Sequence, residues 1–148
     1  MKRFFTLTLT LTLTLCLISC NNEIKNAAGD YSYKASGSVL IDDTLSLNLE
    51  DEIGAMTLIQ KSQDSLLLTF NVLNGNVYTA TGSLCDQVLT LNPFSRSIKA
   101  NILLYNIQVT GSGEVYEDNI ILHLQYHGTS TSERHTLSST DILLVAKR

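Results

Sequence analysis

From Asp30 onward no window of the chain sustains helical periodicity, and apolar residues recur instead at every second position. Leu45, Leu47 and Leu49 alternate with Ser46 and Asn48; Leu66, Leu68, Phe70 and Val72 alternate with Leu67, Thr69 and Asn71; Leu122, Leu124 and Tyr126 alternate with His123, Gln125 and His127. Successive side chains of a strand point to opposite faces, so each run predicts a strand with one buried face. Three stretches, starting at Gly37, Gly82 and Gly113, share one layout: a glycine, a short apolar stretch, a polar tight turn and an alternating strand. The turns are Asp42-Asp43, Asp86-Gln87 and Glu117-Asp118-Asn119, residue types that tolerate left-handed backbone or bond locally to it. The glycines are expected at bends or bulges. A fourth hairpin pairs residues 56–61 with 65–72, and Asn74-Gly75-Asn76 turns the chain into a strand over 77–84. Residues 141–146 (D-I-L-L-V-A) add a last apolar strand. Pro93 places residues 92–97 in a loop, because proline cannot donate within a central ladder. The polar segment 130–139 reads as a loop with a mobile tip.

Nearest-neighbour hairpins make an all-β, antiparallel up-and-down meander of about 8 to 9 strands, and a meander of that length hides its edges best by curling into a closed or nearly closed barrel. A two-sheet β-sandwich is the alternative. A membrane-spanning barrel needs strands of about ten residues with an apolar outer band and aromatic girdles, and most runs here look shorter.

The first residues follow different rules. Met1-Lys2-Arg3 is a cationic start, and an apolar stretch follows from Phe4 to Ile18 with Thr and Leu alternating. Its position, charge and length match an export signal, and about fifteen residues is short for a stable span. The run Leu17-Ile18-Ser19-Cys20 resembles the lipobox of bacterial lipoprotein signal peptides. That resemblance implies a signal peptide over 1–19, a mature N-terminus at Cys20, diacylglycerol on the Cys20 sulfur and anchorage through the lipid. Two or three acyl chains, at about 0.8 kcal/mol per buried methylene, hold a protein stably where one would not. Asn21 rather than Asp after the cysteine implies, by the same resemblance, the outer membrane of the cell envelope. Residues 20–29, polar and aperiodic until Gly29, are expected to form a flexible tether, with the barrel domain over 30–148.

Composition narrows the remaining choices. A chain of 148 residues that is 44% hydrophobic and 16% charged forms one globular domain. Its net charge is −4, and loss of Lys2 and Arg3 leaves eight basic against fourteen acidic residues, so nucleic acid is excluded as a partner. Processing removes Cys16 and caps Cys20, which leaves Cys85 without a cysteine to bridge within the mature chain. Asp86 beside it works against a thiolate, so Cys85 is read as structural.

The layout from Gly29-Asp30-Tyr31 through the Gly37, Gly82 and Gly113 repeats resembles the lipocalin-like, or calycin-like, lipoproteins of Gram-negative bacteria. The resemblance implies a barrel able to hold a small apolar molecule.

Candidate chemistry is sparse. His123 and His127 share one face of a strand, but at about 3.3 Å per residue they stand about 13 Å apart, too far to ligate one ion together. The acidic groups Asp42-Asp43, Glu50-Asp51-Glu52 and Glu117-Asp118 fall at turns, where solvated carboxylates are ordinary. No nucleophile, zinc or phosphate-loop signature occurs. Neither a metal nor a cofactor is expected, nor an enzyme. The six tyrosines read as structural residues at strand ends. Two functions fit: a small apolar ligand held in the barrel and lined by Leu45, Leu47, Leu66, Leu68, Phe70, Leu89, Leu91, Leu122 and Leu124, or an interaction or inhibitor module with a filled core and an envelope protein as partner.

Overall fold

The computed structural model describes residues 24–63, 65–139 and 141–148. The signal peptide expected over 1–19 and the acylation site Cys20 lie outside the described residues. The chain enters through one helical turn, α1 (24–27), and continues as β1 (Gly29–Ile41), β2 (Leu45–Asn48), β3 (Glu52–Ser62), β4 (Ser65–Val72), β5 (Val77–Cys85), β6 (Val88–Ala100), β7 (Leu103–Val115), β8 (Asn119–Ser130), β9 (Thr136–Ser138) and β10 (Ile142–Lys147).

Every pairing is antiparallel, and the order β1-β3-β4-β5-β6-β7-β8-β10 returns to β1, which closes the ring. Two places in the ring are each shared by two strands. β1 pairs with β3 along Gly29 to Ala35 and with β2 along Ser38 to Ile41; β8 pairs with β10 near its start and with β9 near its end. The meander expected from the alternation is therefore present, in barrel and not sandwich form.

The period-two pattern explains the wall. Tyr31, Tyr33, Ala35, Val39 and Ile41 of β1 are buried while the residues between them face out or lie half-exposed. Leu66, Leu68 and Phe70 of β4 and Ile120, Leu122, Leu124 and Tyr126 of β8 do the same, and all belong to one continuous core. Burying such side chains stabilises the fold by about 1.5–3 kcal/mol each. From His123 onward the outer positions of β8 are His123, Gln125, His127 and Thr129, all exposed.

The turns use the backbone that the sequence suggested. Asp42 and Asp43 have φ of 50° and 56°, and Asp86 and Gln87 have 51° and 64°, the left-handed values that match strand twist in tight hairpins. Of the bends or bulges expected at Gly37, Gly82 and Gly113, the bulges are not found there: the ladder is irregular at Gln60/Ser62 and Leu91/Phe94. These glycines give room to the neighbouring strand, and a Cβ on Gly113 would stand 1.8 Å from the carbonyl oxygen of Ile121.

Four further expectations are corrected. Ile24 is wholly buried and Ala27 nearly so, so residues 24–28 belong to the folded body and not to a tether. Residues 92–97 lie within β6, where Pro93 is accommodated at the Leu91/Phe94 irregularity that frees its position from the ladder. The 130–139 segment contains β9, and Leu137 is wholly buried. Several strands reach 11 to 13 residues, longer than the alternating runs, because polar and glycine positions continue the ladders past the leucines.

Candidate functional site

The ring is hydrogen-bonded throughout except along one seam. β5 pairs with β6 only from Gly82 to Cys85, opposite Leu91 to Val88. Beyond the irregularity at Pro93, β6 continues from Phe94 to Ala100 paired with β7 alone. On the facing side of the opening stand the start of β5 and, farther along the barrel, β2, which pairs with β1 alone.

Side chains close the lower part of this seam. Tyr78 of β5 stacks on Phe94 of β6 at 5.9 Å between centroids and on Phe70 of β4 at 4.6 Å, and Tyr33 of β1 meets the edge of Phe70 at 5.5 Å. The Arg96 guanidinium lies 4.1 Å from the centroid of Tyr78, a cation over the electron-rich face of a ring. Glu52, the first residue of β3, collects the donors: its Oε1 accepts from the Tyr78 hydroxyl at 2.7 Å, the Tyr33 hydroxyl at 3.0 Å and Arg96 at 3.1 Å, and its Oε2 accepts from the other Arg96 nitrogen. The pair is largely shielded, with 13% of the Arg96 side chain and 18% of the Glu52 side chain exposed. On the outside, the Asn92 amide donates to the Thr81 hydroxyl at 3.0 Å across the same seam.

Electrostatics hold this cluster in one charge state. Burial opposes ionisation of Glu52, but the hydrogen bonds and charge of Arg96 and the two phenols outweigh it and lower the carboxyl pKa. Burial also disfavours the Arg96 cation, and Glu52 more than compensates. Desolvation pushes the Tyr33 and Tyr78 hydroxyls far above their ordinary range, and Tyr126, near the same charges, is raised to about 12 by burial. The phenols therefore stay protonated donors. With its carboxylate accepting from three side chains and its guanidinium paired, the cluster is a positional lock.

Above the lock the seam stays open as a cleft of about 240 Å³ lined by Leu45 and Leu47 of β2 and by Ile102, Leu103 and Tyr105 of the β6–β7 hairpin. At its rim Asp42 and His135 join the β1–β2 turn to the β8–β9 loop: His135 Nδ1 lies 2.6 Å from Asp42 Oδ2 and Nε2 lies 3.1 Å from Glu133 Oε2. Asp42 Oδ1 also accepts from the Thr136 backbone at 2.8 Å. That backbone bond, then His135, lowers the Asp42 pKa, and the bond to Asp42 raises that of His135. Both imidazole nitrogens are engaged by carboxylates, so His135 latches the β1–β2 turn to the β8–β9 loop.

The opposite end carries a second concavity, an open cleft of about 610 Å³ between α1, the β5–β6 turn and the β7–β8 turn. Arg148 braces it, donating to the carbonyls of Asn26 at 2.8 Å and Ala28 at 2.9 Å while its guanidinium stands 5.0 Å from the Tyr31 ring centroid. The Tyr31 hydroxyl donates to the Ala27 carbonyl at 2.6 Å.

Leu66, Leu68, Phe70, Leu89, Leu91, Leu122 and Leu124 all lie inside the barrel, as expected, but none of the seven lines either concavity. They pack on one another and on Met56, Leu58 and Tyr105. Leu47 is half-buried, and Leu45 is 51% exposed: β2 stands past the end of β4, so no opposite wall covers it. His123 lies 2.8 Å from Asp141 and His127 is exposed beside the Gln108 position, so the histidines are not brought together. No group of three potential ligands among the described residues is placed to hold a metal ion. Cys85 stands exposed at the end of β5. Tyr31, Tyr33, Tyr105 and Tyr126 are core residues, not strand-end ornaments.

The sequence missed the Glu52–Arg96 lock. Glu52 closes an acidic run and reads as a solvated turn, and Arg96 stands in the segment taken as a loop. One signal was available: Phe94, Arg96 and Ile98 share the parity of Leu89 and Leu91 only if the chain shifts by one residue at Pro93.

No protein-family model matches the chain, and no curated protein matches it. Among solved structures, it is similar to a redesigned β-barrel at 11% identity and a TM-score of 0.41, over 84% of this chain and 93% of that one.

Proposed function

We propose that the protein is a non-enzymatic, lipid-anchored component of the cell envelope, held at the outer membrane through Cys20, whose barrel is filled by its own side chains and works as an interaction module. The observation that carries the choice is the interior: the seven residues best suited to line a ligand cavity are buried in one core, and the two clefts described above lie at the ends. A small apolar guest would have to displace packed side chains, at a cost of the order of 1–3 kcal/mol for each misfitted group. The lipobox supplies the anchor, and Ile24, four residues after Cys20, enters the barrel at the α1 end. The opposite end, with its open seam, then faces away from the bilayer.

Mass spectrometry of protein extracted from its own membranes tests both parts. The expected product begins at Cys20, carries two or three acyl chains and co-purifies with no stoichiometric small molecule. A mature form that retains residues 1–19, or one with Cys85 bridged to Cys16 or Cys20, would overturn the anchor, since an acylated Cys20 has no thiol and Cys16 leaves with the leader. A stoichiometric apolar molecule released on denaturation would restore the ligand-binding alternative.

A further inference from the structure

Both walls of the open seam end in backbone that no other strand covers. Just past β2, Leu49 N–H donates to the Gly37 carbonyl at 2.9 Å, and this pair continues the register Val39↔Leu47 and Ile41↔Leu45. Antiparallel ladders alternate, so the N–H and C=O groups of Ser46 and Asn48 point away from β1. In β6, the hairpin pair Ala100↔Leu103 sets Ile98 and Arg96 towards β7, and turns the backbone groups of Ser95, Ser97 and Lys99 to the free side. Among the described residues neither edge is bonded by another strand.

Unpaired edges are templates for strand addition, and apolar pockets beside them select alternate side chains. The cleft between these edges supplies such a pocket, with Leu45 51% and Ile102 81% exposed at its lips. Resting on the proposal that the protein acts through its surface, we propose that β2 receives an extended segment of a partner protein, apolar at alternate positions and carrying lysine or arginine between them. The charge around β2 selects the cations. Asp42 and Asp43 stand at one end of the strand and Glu50 and Asp51 at the other; Asp51 is paired with Lys34 and Asp42 with His135, while Asp43 and Glu50 meet no cation among the described residues. On the β6 side, Arg96 is paired with Glu52, and Lys99 is an opposing charge along the free edge. The same charges disfavour a second copy of this chain: antiparallel pairing of β2 with β2 would set Asp42 and Asp43 of one copy beside Glu50 of the other.

The test uses the purified full chain in detergent and two synthetic octapeptides, alternating Val-Lys and alternating Val-Glu, with backbone hydrogen exchange as readout. The Val-Lys peptide is expected to slow exchange at the Ser46 and Asn48 amides and the Val-Glu peptide to leave them unchanged. Ser46→Pro removes a donor that β1 does not use, and should weaken Val-Lys binding by about tenfold or more with the urea midpoint unchanged. Should Ser46→Pro disturb folding, Ile102→Glu on the far lip provides the same block. Equal protection by both peptides, no protection at either amide, or binding indifferent to both substitutions would overturn the seam as a strand-addition site. A concentration-dependent dimer abolished by Ser46→Pro would assign the edge to a second copy and overturn the proposed occupant. Photo-crosslinking in cells separates this inference from the broader one: crosslinks from position 125 on the far wall but none from 45 or 102 would sink the seam alone, while none from any position would sink the interaction module itself.

Discussion

Removal of the Arg96 guanidinium gives the sharpest test of how the barrel stays shut where its backbone ladder stops. Arg96→Met keeps the length of the side chain and its packing on Tyr78, but deletes two charge-assisted hydrogen bonds to Glu52 and the cation over the ring. Breaking a buried ion pair on one side costs about 3–5 kcal/mol. With 13% and 18% of the two side chains exposed, and with Tyr33 and Tyr78 still donating to the carboxylate, about 2–4 kcal/mol is expected here. Glu52→Gln should cost about 2 kcal/mol, because an amide satisfies the phenols but leaves the guanidinium uncompensated. The double variant should lose less than the sum of the two, with a coupling of at least about 1.5 kcal/mol. Urea unfolding at neutral pH measures all four corners of this cycle. A urea slope of about 1–3 kcal/mol per molar turns a 3 kcal/mol loss into a midpoint shift of about 1–3 M. Additivity to within about 0.5 kcal/mol, or an Arg96→Met cost below about 1 kcal/mol, would refute the claim that these side chains substitute for the missing backbone bonds.

Other substitutions probe the remaining structure. Leu68→Ala should destabilise by about 2–5 kcal/mol, whereas Leu45→Ala should cost under about 1 kcal/mol, and thermal melts of the pair test whether β2 lies outside the packed interior. Gly113→Ala forces a methyl group against the Ile121 carbonyl and should cost about 3 kcal/mol or more, read by yield of folded protein and by denaturation. Arg148→Ala should cost about 1–2 kcal/mol and speed hydrogen exchange at residues 24–28 more than at β4, since it unclasps α1 first. The His135–Asp42 latch makes stability pH-dependent in two directions. The raised His135 pKa contributes fully below 6.5 and its effect is lost as pH rises through the folded value; the lowered Asp42 pKa contributes above 3.8 and is lost as pH falls through its folded value. Comparison of the wild type with His135→Asn across pH 3–9 should show the difference largest between those two values, and a flat difference would dismiss the latch.

The alternation of leucines determined, without any tertiary information, that the body is an antiparallel meander and which face of most strands turns inward. A single residue of slippage would expose every leucine of a run, so register is written into the period itself. The Asp-Asp and Asp-Gln turns were legible for the same local reason: left-handed backbone is demanded at those two positions and few residue types accept it. What the sequence did not contain is where the ring would be incomplete. That depends on the length of one strand relative to its neighbour across the barrel: β2 outruns β4, and β6 leaves β5 at Pro93, so Leu45 has correct parity and no wall to face. Parity predicts a side, but burial requires an opposite surface, and only closure of the chain upon itself provides one. Glu52 and Arg96, 44 residues apart, could be recognised as partners only after that closure, because charge carries no periodicity that marks its destination. Local periodicity decides strands and faces; the mismatch of strand ends in three dimensions decides where the molecule is sealed by side chains and where it is left open.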